Sequence, residues 1–187
     1  MPRGGREPAM SAFAKPAPER GNKPPRNWRA FGILIGLVTL PLIVIDQISK
    51  LYISSHMTLY ESIPVIANWF DITYTQNPGA AFSMFATFPP IFRSAFLFAL
   101  SSAAIVVLIV LIFETDRITP LSFAFALILA GASGNLIDRA VRGRVIDFIR
   151  VHYFDISYPV FNVADSAISI GVVLIILATF LSPSENS

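Results

Sequence analysis

The chain has 187 residues, 54% of them hydrophobic and 14% charged, with a formal net charge of +2. A soluble domain carries roughly 25% charged residues, so this composition argues against a soluble globular fold, rules out a charge-rich disordered chain, and gives no footing for nucleic-acid binding. The absence of cysteine excludes disulfides, iron–sulfur clusters, thiolate zinc sites and a cysteine nucleophile, and His56 and His152 are too few for a histidine cage, so neither a metal nor a cofactor is expected.

Residues 1–29 hold seven Lys/Arg, several prolines and little that can pack. The segment is predicted to be a disordered basic arm. It resembles the basic region of a signal sequence, but no small-residue cleavage site follows the first apolar run. Helix 1 is therefore read as an uncleaved anchor with the arm in the cytoplasm. Ala30 to Ile45 is uncharged over 16 residues, and continuing through Ile48 and Leu51 gives a span of about 30–53. A helix needs about 20 apolar residues to cross a hydrocarbon core.

Ile63 to Thr75 mixes β-branched and aromatic residues. Strands are predicted there, forming a small sheet at the membrane surface with Trp69 and Tyr74 at headgroup level. The uncharged run Ile72 to Phe92 contains Gln76-Asn77-Pro78-Gly79 and Pro89-Pro90. Its prolines and turn residues oppose a spanning helix, so an interfacial or re-entrant segment is expected. Three further uncharged runs, Ser94–Phe113 (20 residues), Ile118–Ile137 (20) and Ser166–Ser184 (19), predict spans at about 92–113, 118–138 and 162–182. The expected fold is an all-α integral membrane protein. It is a four-transmembrane-helix bundle (residues 30–183) with a small extracytoplasmic β-sheet, an interfacial segment and a cytoplasmic tail at 184–187.

Threading the chain up, down, up, down brings every polar cluster to one side. Helix 1 exits at Asp46 and Lys50, helix 2 follows Asn77 and Arg93, helix 3 exits at Asn135, Asp138 and Arg139, and helix 4 starts at Asn162 and Asp165. With the N-terminus cytoplasmic, that side is extracytoplasmic and the C-terminus returns inside. Arg139, Arg142, Arg144 and Arg150 then lie outside, and pairing with Asp138, Asp147 and Asp155 would account for them. The middle of every span lacks ionisable residues, which argues against a transporter working at the bilayer midplane.

Each cluster has a plain structural reading. Asn162 is an N-cap with Asp165 in the first turn; Arg139 meets a helix C-terminus beside Asp138; Asp46 and Lys50 form an i, i+4 pair. Together they gather acids, amides and an arginine in one volume. Two carboxylates forced together cannot both ionise readily, and such a pair can serve as base and acid at once. Asp147, flanked by apolar residues, and Asp165 are candidates for that pair, with Asp138 and Asp46 still open as alternatives. A small transporter using Asp46, Asp138 and Asp165, and a non-catalytic scaffold presenting the outer loops, are the rival readings.

The stretches Asp46-Gln-Ile-Ser-Lys50, Asn77-Pro-Gly-Ala-Ala-Phe-Ser83, Gly134-Asn-Leu-Ile-Asp-Arg139, Val145-Ile-Asp-Phe148 and Phe161-Asn-Val-Ala-Asp165 resemble, in order and spacing, those of bacterial lipoprotein signal peptidase (signal peptidase II). The resemblance runs from about Phe31 to Leu181, and the Pro-rich arm before it departs from the family. It implies an aspartyl endopeptidase of the bacterial inner membrane. Such an enzyme removes signal peptides from prolipoproteins by cutting before a diacylglyceryl-modified cysteine. By motif, Asp147 and Asp165 take the catalytic roles. Asn77, Asn135, Arg139 and Asn162 match positions that line the pocket and hold substrate or a globomycin-type inhibitor. Asp46, Lys50 and Asp138 match positions that support the site. Diacylglyceryl-modified prolipoproteins and membrane lipids are the implied partners, and no nucleic acid is.

Overall fold

A computed structural model describes residues 28–79 and 89–181. Within them four helices are long and apolar enough to cross a membrane. These are α1 (Trp28–His56), α2 (Pro90–Phe113), α3 (Pro120–Arg142) and α4 (Val163–Leu181). At one end of the bundle lies an antiparallel sheet in the order β1 (Ser62–Ile66), β2 (Phe70–Asn77), β3 (Val145–Tyr153) and β4 (Ile156–Ser157). This is the helical membrane bundle with a small sheet that the charge gaps predict. The basic arm up to residue 27, residues 80–88 of the expected interfacial segment and the tail from 182 lie outside the described residues.

Helix α3 is the hub and packs against the other three helices. Half of its buried residues are Ala or Gly: Ala124, Ala126, Ala130, Gly131 and Gly134. In lipid, helices associate through close packing rather than through hydrophobic expulsion, and small residues permit it. A Cβ at Gly131 would lie 2.2 Å from the Ala164 carbonyl oxygen, and one at Gly134 would lie 2.5 Å from Asp46 Oδ2. The α3 N-terminus is fixed by a capping box, in which Thr119 Oγ1 accepts from Ser122 N at 3.1 Å and Ser122 Oγ accepts from Thr119 N at 2.9 Å. Helix α1 widens into a π turn over Ile35–Thr39, just before Pro41. Proline removes a donor and crowds the preceding turn. There Thr39 Oγ1 donates across to the Ala126 carbonyl at 3.1 Å.

Two apolar clusters hold the ends. Leu34, Leu108, Ile112, Ala126 and Leu129 fill the end away from the sheet. Ile53, Tyr74, Ile146 and Phe148 bind β2 and β3 to the last turns of α1. The sheet thus sits on the bundle through the same strands that carry polar residues on their other face.

The structure corrects three expectations. Gln76 and Asn77, expected in the interfacial segment beyond the predicted strands, extend β2. Tyr74 is buried in the second cluster, so only Trp69 of the expected aromatic pair is exposed. Helix α3 runs past Asp138 to Arg142, because Ala140, Val141 and Arg142 continue the helix and Gly143, at φ 71°, is the first residue suited to stopping it.

Candidate active site

The site forms where α1, α3, α4 and β3 meet. Its base is a buried charge cluster. Lys50 is fully buried, with its ammonium 2.8 Å from Asp46 Oδ2, 2.9 Å from Asp138 Oδ2 and 3.0 Å from Asn135 Oδ1. Its three protons therefore meet three acceptors, which a buried cation requires. Asp46 Oδ1 accepts from the Ala164 N–H at 2.9 Å, tying α1 to the first turn of α4. Asp138 Oδ2 also accepts from Ile146 N at 3.2 Å, tying α3 to β3. Arg142 pairs with Asp138 Oδ1 one turn on.

Asparagines carry the order outward from this base. An ammonium only donates, so Asn135 must present Oδ1 to Lys50. That leaves Asn135 Nδ2 to donate to Asp165 Oδ1 at 2.7 Å. Asn162 caps α4: its Oδ1 accepts from Asp165 N at 2.9 Å, and Asp165 Oδ2 accepts in return from Asn162 N at 3.3 Å. The Asn162 side-chain amide lies 2.7 Å from Asp147 Oδ1, with Asn135 Oδ1 and the Ile146 carbonyl each at 3.2 Å. One residue, Asn162, thus bonds to both Asp147 and Asp165. Register places Asp147 opposite Thr75 in β2, whose Oγ1 donates to the Asp147 carbonyl at 3.2 Å, and puts Asn77 two residues on, where its side chain bonds the Asp147 carboxyl.

Asp147 is only 3% exposed. Burial pushes its carboxyl up to about 7, and the Asp165 charge adds to the rise. Hydrogen bonds from Asn77 and Asn162, and the Lys50 charge, oppose it. No Lys, Arg or His among the described residues forms an ion pair with Asp147 or Asp165. Arg139 is half-buried on α3, donates to the Asn135 carbonyl at 3.3 Å and lies in the field of Asp165, Asp147 and Asp138. Among the described residues, no three His, Cys, Asp or Glu side chains gather in a way that could hold a metal.

All nine residues singled out in the sequence therefore meet at one end of the bundle: Asp46, Lys50, Asn77, Asn135, Asp138, Arg139, Asp147, Asn162 and Asp165. The arginines find partners only partly as expected. Arg142 pairs with Asp138, but Arg150 pairs with Asp71 on the neighbouring strand at 3.4 Å. The expectation overlooked Asp71 because cross-strand pairing depends on register. Gln47 was not singled out, yet its Nε2 reaches Asp46 Oδ2, the Gly134 carbonyl and Asp138 Oδ1 at 3.1, 3.1 and 3.3 Å. Its position beside Asp46 within the first motif was the only available signal.

Comparison with known proteins identifies the family. Residues 38–181 match the family model described as signal peptidase (SPase) II. A lipoprotein signal peptidase of Syntrophus aciditrophicus is 40% identical over 158 residues, covering 83% of this chain and 98% of that protein. One from Pseudomonas putida is 46% identical over 162 residues, covering 83% and 92%. A solved bacterial membrane enzyme superimposes with a TM-score of 0.72 at 33% identity, covering 83% of this chain and 92% of that one. The matched region takes in every described helix and strand around the site, and the chain belongs to the signal peptidase II family as a multi-pass membrane peptidase.

Proposed function

We propose that this chain removes signal peptides from prolipoproteins at the outer face of the bacterial inner membrane, cutting before the diacylglyceryl-modified cysteine, and that Asp147 and Asp165 activate the attacking water. The observation that carries this reading is the bonding of both carboxyls to Asn162 with no cation paired to either among the described residues. A carboxyl held up to about 7 keeps a proton near neutrality. One carboxylic acid and one carboxylate facing a common water supply the acid and the base that peptide hydrolysis needs.

In the proposed mechanism the ionised member of the pair takes a proton from the water as its oxygen attacks the scissile carbonyl carbon. The protonated member hydrogen-bonds the carbonyl oxygen and gives up its proton as the gem-diol forms. Collapse breaks the C–N bond: the carboxyl that took the water's proton passes it to the leaving amine, and the other carboxyl takes a proton back from a gem-diol hydroxyl, which leaves one acid and one carboxylate again. No covalent enzyme intermediate forms. The shared proton belongs to the coupled pair, and Asn77 and Asn162 hold Asp147 while Asn135 holds Asp165. Arg139, Asn77, Asn135 and Asn162 line the pocket for the substrate backbone or a globomycin-type inhibitor. Asp46, Lys50 and Asp138 fix the frame. Acyl chains of the substrate gain about 0.8 kcal/mol per buried CH₂, which fixes the depth of the cysteine and limits which bond reaches the acids.

The test is incubation of the purified protein with a diacylglyceryl-modified prolipoprotein. The expected result is a shift to the mature form that globomycin blocks and a strong chelator does not. No shift, or a shift lost on chelation and restored by a divalent ion, would overturn the reading.

A further inference from the structure

A groove of about 430 Å³ lies between the flank of α1 and the sheet, lined by Ile45, Ile48, Ser49 and Tyr52 of α1 and by Ile72 and Phe148 of β2 and β3. That is the size of a small-ligand site. From Ile45 to Tyr52 it follows α1 for about 10 Å. We propose that it seats an acyl chain of a bilayer glycerophospholipid, behind the strand that carries Asp147.

Three observations select this occupant. First, the groove is continuous with the lipid-facing surface of a membrane-spanning helix: Ile45, Ile48 and Tyr52 are each more than half exposed on α1. Second, the lining does not suit water. A bound water needs two to four polar partners, whereas the walls are apolar and the Ser49 hydroxyl is already committed to the Asp46 carbonyl at 2.8 Å. Third, Phe148 follows Asp147 on β3, so the two side chains point to opposite faces of the strand. Asp147 faces Asn162, and Phe148 packs with Ile53 and Tyr74. A chain in the groove therefore lies on the far side of β3 from the acids, where a substrate lipid bound for cleavage does not reach. This choice of phospholipid over substrate lipid rests on the role proposed for Asp147; the groove itself does not.

The test uses the full chain in phosphatidylcholine nanodiscs doped with a phosphatidylcholine that carries a diazirine in one acyl chain. Irradiation is followed by peptide mass spectrometry. Labelling of Ile72 and Phe148, recessed beneath the sheet, is expected at least at the level of Val173 on the exposed face of α4. Ser49→Leu, which fills the groove, is expected to cut labelling at Ile72 and Phe148 at least fivefold and to leave Val173 unchanged. Ile48→Trp, on the exposed rim, gives the same result by narrowing the entrance and serves if Ser49→Leu fails to fold. Added diacylglyceryl lipopeptide is expected to leave the pattern unchanged. Absence of label at Ile72 and Phe148, label undiminished by both variants, or displacement by the lipopeptide in place of phospholipid would each overturn the proposal; the last would do so whether or not the peptidase reading stands.

Discussion

Asp46 and Asp138 lie a few residues' reach from Asp147 and Asp165, and all four are aspartates withdrawn wholly or partly from water. Their surroundings differ in kind. Asp46 and Asp138 share the Lys50 ammonium, and Asp138 also holds Arg142. Among the described residues, Asp147 and Asp165 receive only neutral donors, from Asn77, Asn135 and Asn162. A carboxylate beside a buried cation balances that cation and holds the fold together. One that is hydrogen-bonded by neutral amides is open to reaction chemistry. With Arg139 included, the described residues of the site set four aspartates against three cations, so one proton retained by the Asp147–Asp165 pair balances them. The same residue type thus builds a frame in one place and a reactive centre in the other, and cation pairing separates the two.

The largest effect on the frame is expected from Lys50→Met. It leaves two buried carboxylates facing each other without their cation. Breaking a buried pair by removing one partner costs about 3–5 kcal/mol. Thermal unfolding in detergent is expected to register that loss, and adding Asp46→Asn and Asp138→Asn to Lys50→Met is expected to restore much of it. If Lys50→Met alone unfolds like the parent, the frame does not depend on charge pairing. Gly134→Ala sharpens the same point at smaller cost. Its Cβ would press on Asp46 Oδ2, and overpacking of this kind costs about 1–3 kcal/mol.

The reactive side of the comparison predicts the opposite sign. The Asp147 carboxyl stands at about 7 in the folded chain against an ordinary 3.8, so the folded state binds this proton more tightly than the unfolded state does. Stability is then lost as pH rises from about 4 to about 7, and the loss is complete above that. Asp147→Asn is accordingly expected to raise the unfolding temperature at pH 8, with the gain vanishing near pH 4. Asp46→Asn, which removes a paired charge, is expected to lower it. Equal behaviour of the two variants across that range would erase the distinction between frame and centre.

Much of this was legible in the chain. The charge gaps announce four helices because a membrane tolerates few ionisable residues inside it. The order of the spans brings Asp46, Asn77, Asp138 and Asp165 to one end. The pairing pattern was less legible. Nothing in the spacing of Asp46 and Lys50 says that Asp138, 88 positions further along, completes their cluster. Tyr74 reads as an interfacial aromatic until the sheet turns it onto Ile53. Arg150 reads as a partner for Asp138, Asp147 or Asp155 until β2–β3 register brings Asp71 opposite it. Local pattern fixes elements and ends, whereas partners are set by which faces the fold turns toward each other.

Cleavage of a diacylglyceryl-modified prolipoprotein by Asp147→Asn, Asp165→Asn and the double variant, each first shown to be folded, tests the central claim most directly. General acid–base groups contribute about 10²–10⁴-fold, and residues acting as a unit are strongly non-additive. Each single variant is expected to lose at least about 10³-fold in rate, with the double variant no slower than either. Near-normal turnover by either single variant, or losses that multiply in the double, would contradict the account.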